Sequence, residues 1–323
     1  MKKKVVLYTR IPEAEFEKLN QDFDLIYFDG ISDTNRQQFL AEIETAHALI
    51  GASVKLGYDE LKHTQNLQVV STISTGVDAF DIEYLNQRKI ALMHTPDAVT
   101  NTTADTIFAL MMCTARRTTE LNNLVTRGDW KGSIKEQHFG VDLHGKTLGI
   151  LGMGRIGYAL AKRAHCGFDM NINYYNRSHN IKAEENLSAT KLSLDDLLEQ
   201  SDFVCSILPA NAQTDLLIGQ REFELMKPSA IFINGGRGNV VDEEALVNAL
   251  SMGSIRAAGL DVYKVEPLPT SSPLMLLDNV VLLPHVGSAT AQTRLLMVQC
   301  AISNVHAALQ GNIVENCANA EAF

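Results

Sequence analysis

Residues 147–178, TLGILGMGRIGYALAKRAHCGFDMNINYYNRS, constrain this chain more than any other stretch. A short apolar run ends in Gly152-Met153-Gly154-Arg155-Ile156-Gly157, and a segment of helical periodicity follows at once. A second strand-like run, Ile172 to Tyr175, then leads into the polar triplet Asn176-Arg177-Ser178. Glycine at the first two motif positions permits a tight turn and a close backbone approach to a pyrophosphate. The third lets the helix pack close on the strand. Unpaired N–H groups at the helix start, with the positive end of its dipole, then face the phosphates. Three glycines in six residues alone often mark only a loop. Here strand, helix and strand flank them in the required order, so the stretch predicts a dinucleotide site.

The end of the second strand is the sharper clue. Where a site for NAD usually offers Asp or Glu to the ribose 2′-hydroxyl, this chain has Asn176, with Arg177 and Ser178 behind it. A carboxylate would repel a 2′-phosphate. A neutral amide followed by a guanidinium and a hydroxyl would attract one, because Arg grips phosphate oxygens through charge-assisted hydrogen bonds. The triplet favours NADPH, with NADH as the alternative.

At 323 residues the chain is long enough for two domains. Its 46% hydrophobic and 20% charged content are those of an ordinary globular protein. A net charge of −10 leaves no basic stripe to neutralise phosphates, which argues against a nucleic-acid partner. The opening MKKKVVLYTR has too short an apolar run for a signal peptide and reads as a first β-strand. No run approaches the roughly 18 apolar residues of a membrane span. The five cysteines, 113, 166, 205, 300 and 317, lack metal-ligand spacing and read as buried free thiols of a reducing cytoplasm.

Short apolar runs alternate with helix-like segments through the first hundred residues: Val5–Tyr8, Leu25–Phe28, Ala48–Ile50, Val69–Ser71 and Ala91–Met93. That pattern predicts a small α/β domain with a largely parallel sheet. One long helix is expected from Val99 to Arg127, ending near Gly128. Further strands are expected at Thr147–Leu151, Ile172–Tyr175, Phe203–Leu208, Ala230–Asn234, Ala257–Asp261 and Val280–Leu283, giving a doubly wound (Rossmann) parallel sheet. A last helix should run from Ala289 to Leu309. Residues Gly128–Asp142 read as an excursion outside the core.

Ligands of such sheets lie across the carboxyl ends of the strands, so the loops after strands carry most weight. Three stand out: Gly235-Gly236-Arg237-Gly238, then Val265-Glu266-Pro267, then Pro284-His285 with Gly287-Ser288. Reduction of a 2-oxo acid needs a cation for the carboxylate and ketone, and an acid for the new alkoxide. A third group should keep that acid charged. Arg237, His285 and Glu266 are of these types, and a carboxylate beside an imidazole favours its charged form. Glycines around Arg237 would let the backbone pass close to a nicotinamide. Each loop alone is a common turn; three complementary groups on three strand ends of one sheet are a constellation.

The segments GMGRIG, INGGRGNVVDEEAL, AAGLDVYKVEPL and LLPHVGSAT together resemble the D-isomer-specific 2-hydroxyacid dehydrogenase family. STISTGVDAFD and NTTADTIFALMMCTARR extend the likeness, in family order, over nearly the whole chain. Within the family, STIS-G-D, LMHTP, LGMGRIG and NVVLLPHVGSAT look most like the glyoxylate/hydroxypyruvate reductase B group, also called 2-ketogluconate or 2-ketoaldonate reductases. The resemblance implies a cytoplasmic, homodimeric, NADPH-preferring reductase of small 2-oxo acids.

By that resemblance Arg237 binds substrate, Glu266 is the partner carboxylate and His285 the proton donor. Ser74-Thr75-Gly76 resembles a loop whose amides receive the substrate carboxylate. Thr103, Leu208, Pro209, Gly235, Gly236, Asp261, His285 and Gly287 join Gly152, Gly154, Arg155, Ile156, Gly157, Asn176, Arg177 and Ser178 as expected cofactor contacts. Asp261 is expected near the nicotinamide amide. The resemblance also implies that the final helix returns to the first domain. A flavodoxin-like substrate domain (1–98 and 288–323) would then embrace the dinucleotide-binding domain (99–287), with closure of the cleft excluding water. The excursion holds Trp130 and His138-Phe139 where relatives often carry an aromatic group to a neighbouring subunit. Rival readings are an NAD-using phosphoglycerate or phosphite dehydrogenase, which would need further cations near Ser74, and a dinucleotide-sensing, corepressor-like binding protein.

Overall fold

Parallel strands buried on both faces organise both halves of the chain in the computed structural model. It describes residues 2–313 and 315–323; Met1 and Val314, both within the ranges expected for the first domain, lie outside the described residues. Two compact units form, Met1–Val99 together with Ala289–Phe323, and Thr100–Ser288.

The first unit alternates strands β1 (Lys4–Leu7), β2 (Asp24–Tyr27), β3 (Ala48–Gly51), β4 (Val69–Thr72) and β5 (Ala91–Met93) with helices α1 (Glu13–Asp22), α2 (Arg36–Ile43), α3 (Tyr58–Leu61) and α4 (Ile82–Gln87). All pairings are parallel, in the order β2-β1-β3-β4-β5, which is the flavodoxin-like arrangement. β3, β4 and β5 are buried at every position, as continuous apolar runs in a covered parallel sheet should be. Tyr8, Phe39, Leu49, Val70 and Leu92 fill one core cluster of this unit. The final helix, Ala291–Leu309 (α12 in chain order), packs on β3, β4 and β5, and its Ala301 carbonyl accepts the buried Ser71 hydroxyl at 2.9 Å.

The second unit opens with α5 (Thr100–Arg116) and α6 (Thr118–Thr126). Seven strands follow: β6 (Thr147–Leu151), β7 (Asn171–Tyr175), β8 (Thr190–Lys191), β9 (Phe203–Ser206), β10 (Ile231–Asn234), β11 (Ala257–Leu260) and β12 (Val280–Leu282). Helices α7 (Arg155–Phe168), α8 (Ile181–Leu187), α9 (Leu194–Gln200), α10 (Gln220–Leu225) and α11 (Glu243–Met252) lie between them in sequence. The order is β12-β11-β10-β9-β6-β7-β8, all parallel. Strand order reverses between β6 and β9, the switch point where a doubly wound sheet opens a crevice.

The single helix expected over Val99–Arg127 is two helices. Arg117 stands between them in the left-handed region, φ 55°. The Ala115 carbonyl, which a continuing helix would satisfy internally, instead accepts the Val141 N–H at 2.9 Å from the end of the excursion. Arg117 pairs with Glu120 and donates to the Gln137 carbonyl, fixing the bend. α5 buries Ile107, Leu110 and Met111, each contributing roughly 1.5–3 kcal/mol of apolar burial, whereas α6 buries no residue. Apolar periodicity alone could not separate these two stretches.

Two smaller expectations also fail. The two-residue edge strand β8 is too short and too polar to carry a strand signal, and the runs at Phe203 and Ala257 end as strands at Ser206 and Leu260. All five cysteines are free thiols, but only Cys205 is buried; Cys166, on the outer face of α7, is exposed.

Candidate active site

Every loop singled out in the second unit leaves the carboxyl end of a strand. At the end of β6, Gly152 has φ +102°, and a side chain there would press on the Ile207 carbonyl. A Cβ on Gly157 would lie 2.3 Å from the Gly152 carbonyl, so the third glycine lets α7 start hard against the strand end. Gly154, before the first helical residue, is exposed, and a Cβ there would meet nothing within 4 Å. The first-turn N–H groups of α7 have no intrahelical acceptors. This cradle fits a dinucleotide pyrophosphate.

Beyond β7, Asn176 is half-buried, with Nδ2 donating to the Ser178 carbonyl at 3.2 Å, while Arg177 and Ser178 are exposed. Asn180 braces this turn. Its amide donates to the Met153 carbonyl inside the glycine motif at 2.9 Å, and its Oδ1 caps α8 through Ala183 N–H. Tyr174 donates to Glu184, which also meets His179 Nδ1 at 2.7 Å. The Tyr174 hydroxyl first, then His179, holds the Glu184 carboxyl below its usual range. Sequence reasoning missed Asn180, although an Asn before a helical run is a readable N-cap.

After β10, the buried Asn234 clasps the arginine loop, accepting Gly236 N–H at 3.1 Å and donating to the Arg237 carbonyl at 3.0 Å. Glycines here also allow close packing of the loop. A Cβ on Gly236 would fall 2.6 Å from the Leu208 carbonyl, and one on Gly238 would overlap the Tyr263 backbone. The loop is wedged between its neighbours, with Leu208 buried and Pro209 exposed on one side, and Arg237 half-buried with Nη1 on the Gly236 carbonyl at 2.9 Å. Gly235 packs against Ile107 of α5. Asn234 was read only as a strand end; a polar residue closing a buried run was its signal.

After β11 and β12 the structure brings two predicted residues into contact. His285 Nδ1 lies 2.7 Å from Glu266 Oε2, and Glu266 Oε1 accepts the Tyr263 N–H at 3.0 Å. Tyr263 also donates its hydroxyl to the Leu283 carbonyl at 2.8 Å, tying the two loops together. His285 has φ +52°, a backbone state that disfavours side-chain-bearing residues. The buried Asp261 holds the chain there, its two carboxylate oxygens accepting Val286 N–H at 2.8 Å and Gly287 N–H at 3.0 Å. Burial pushes the Asp261 carboxyl above the usual range, against the opposing pull of Val286 N–H, the His285 charge and Gly287 N–H. Expected only as a neighbour of the nicotinamide amide, Asp261 fastens the histidine loop. Thr103 of α5, buried, lies beside Gly287 and Asp261.

In the first unit, Ser74-Thr75-Gly76 leave the carboxyl end of β4 as a half-buried loop. Among the described residues, no three or more His, Cys, Asp or Glu group as metal ligands, and no helix is long and apolar enough to cross a membrane.

A doubly wound sheet with a glycine cradle at its switch point, and an imidazole–carboxylate pair at neighbouring strand ends, defines an NAD(P)-dependent oxidoreductase. The chain belongs to the D-isomer specific 2-hydroxyacid dehydrogenase family: residues 108–287 match the family model for its NAD binding domain. It is 51% identical over 323 residues to a glyoxylate/hydroxypyruvate reductase B of Yersinia pestis, covering 100% of this chain and 99% of that one. A glyoxylate reductase structure from Paecilomyes thermophila superposes with a TM-score of 0.90 at 30% identity, covering 99% of each chain. An NADPH-dependent glyoxylate/hydroxypyruvate reductase from Sinorhizobium meliloti, in complex with NADP and malonate, gives a TM-score of 0.82 at 29% identity, covering 95% of this chain and 93% of that one.

Proposed function

We propose that this chain reduces small 2-oxo acids, glyoxylate and hydroxypyruvate first and 2-ketogluconate after them, to D-2-hydroxy acids with NADPH. The observation that carries the reading is the 2.7 Å contact between His285 Nδ1 and Glu266, which leaves Nε2 for substrate. NADPH, when bound, supplies the hydride that reduces C2. Arg237 holds the carboxylate and polarises the ketone, with the Ser74–Gly76 amides as further carboxylate donors. His285 gives its Nε2 proton to the oxygen that becomes the hydroxyl, and the Glu266 carboxylate holds the ring by its Nδ1. The glycine cradle and the first turn of α7 hold the pyrophosphate, while Thr103, Leu208, Pro209 and Gly235 flank the cofactor. Arg177 and Ser178, with no carboxylate at 176–178, support recognition of the 2′-phosphate.

The reductase named from Yersinia and the one from Sinorhizobium support glyoxylate and hydroxypyruvate as substrates, and the NADPH-dependent Sinorhizobium enzyme supports the cofactor. A cytoplasmic homodimer is part of the proposal. Trp130, Ile134 and Phe139 of the excursion are all exposed, large apolar side chains that a second copy would cover. NADPH consumption, followed by absorbance with glyoxylate, hydroxypyruvate and 2-ketogluconate and repeated with NADH, tests the reading. No consumption with any 2-oxo acid would sink it.

A further inference from the structure

The loop Ser74-Thr75-Gly76 has carbonyls that are held and amides that are not. Among the described residues its three N–H groups donate to nothing. Its carbonyls all accept: Ser74 from Thr95 N–H at 2.9 Å, Thr75 from His94 Nδ1 at 2.9 Å, and Gly76 from the Ser74 hydroxyl at 2.6 Å. The Thr75 hydroxyl also donates to the Thr95 carbonyl at 3.1 Å.

A trans peptide points its C=O and N–H in opposite directions. The Ser74 carbonyl shares a peptide plane with Thr75 N–H, and the Thr75 carbonyl shares one with Gly76 N–H. Holding both carbonyls on the His94-Thr95 segment therefore aims both amides away from it. The Ser74 carbonyl is held by main chain, which survives substitution. Among the described residues the Thr75 carbonyl is held by one side chain, that of His94. A carbonyl only accepts, so His94 carries a proton on Nδ1.

His94 is itself clamped at its main chain. Its N–H donates to the Asn316 carbonyl at 2.9 Å, and its carbonyl accepts from the buried Asn304 of α12 at 2.9 Å. Asn316 Nδ2 in turn donates to Asn304 Oδ1 at 3.2 Å. The last helix and the C-terminal segment thus set where the imidazole starts.

We propose that His94 is a positioning residue for substrate: through Nδ1–H it fixes the Thr75–Gly76 peptide plane and so orients the Gly76 N–H that receives the carboxylate. The inference rests on the reading of this loop as the carboxylate site. Steady-state kinetics with glyoxylate and NADPH on the wild type, His94→Leu and His94→Asn test it. His94→Leu should raise KM for glyoxylate about tenfold, the size of one lost hydrogen bond, with kcat changed by less than about threefold. NADPH affinity, read by its fluorescence, should not move. His94→Asn, whose Nδ2 can donate from nearly the same place, should recover KM to within about threefold of wild type.

An unchanged KM in His94→Leu, a loss confined to kcat, or a loss that Asn does not recover overturns the proposal. A wild-type chain inert toward glyoxylate sinks the reductase reading instead. Nitrogen-15 NMR of the wild type decides the His94 geometry in that case, and also if His94→Leu fails to fold. A protonated Nδ1 coupled to the Thr75 carbonyl supports the proposal, and an unprotonated Nδ1 overturns it.

Discussion

The imidazole of His285 meets Glu266 through Nδ1, 2.7 Å from Oε2, and Nε2 has no partner among the described residues. A carboxylate on one nitrogen fixes which nitrogen can serve a substrate. On the proposed reading, Nε2 is therefore the nitrogen that donates the proton.

Removing the imidazole tests it first. His285→Ala should lower kcat for glyoxylate reduction by on the order of 100-fold, the usual contribution of a positioned general acid. NADPH affinity should stay near wild type. Turnover within a few-fold of wild type would take the proton-donor role away from His285.

Removing the carboxylate is subtler. The Glu266 carboxylate meets His285 at Nδ1 and so holds the ring with Nε2 free. Glu266→Gln keeps a polar group there but loses the charge-assisted contact, and should lower kcat for glyoxylate by roughly tenfold with NADPH affinity near wild type. Steady-state kinetics at saturating NADPH checks it. Turnover equal to wild type contradicts the pairing.

How much of this could be read beforehand follows from where each signal resides. Gly152, Gly154 and Gly157 were legible because their spacing falls between an apolar run and a helical one that follow each other directly in sequence. Arg237, Glu266 and His285 could be singled out because each follows an apolar run that ends at the sheet's ligand edge. The break at Arg117 could not, because a donor far along the chain, the Val141 N–H that meets the Ala115 carbonyl, decides it. The tie from Asn180 to Met153 and the fastening role of Asp261 were hidden for a related reason. Each acts on main-chain groups of a loop far off in sequence, and single-sequence spacing does not encode those contacts.

Asp261 shows what such a fastening contributes. Both its oxygens accept amide hydrogens, from Val286 and Gly287, just beyond His285 with its φ of +52°. Left-handed backbone costs a residue with a side chain roughly 1–2 kcal/mol, so the turn needs an external hold. Asp261→Asn keeps one acceptor and sets an NH2 against the other amide, at a cost of about 1–3 kcal/mol. Expected outcomes are a lower Tm and a reduced kcat, measured on the same preparation by thermal unfolding and glyoxylate turnover. Unchanged kcat with a lowered Tm would limit Asp261 to stability.

On the proposed reading, cofactor choice turns on one guanidinium. Arg177 is exposed beside Ser178 at the end of β7, where relatives that use NAD usually place a carboxylate, and Asn180 ties that turn back to Met153 in the glycine motif. An exposed Arg can swing onto a 2′-phosphate without disturbing the core, and a charge-assisted hydrogen bond to phosphate contributes about 1.5–3 kcal/mol. Arg177→Ala should therefore raise KM for NADPH roughly tenfold or more while changing KM for NADH by less than about twofold. The variant also leaves Glu266 and His285 untouched, so kcat at saturating NADPH should be near wild type. Titrating both cofactors against one fixed glyoxylate concentration gives the comparison directly. Equal weakening of the two would mean that the triplet braces the adenosine half without reading its phosphate.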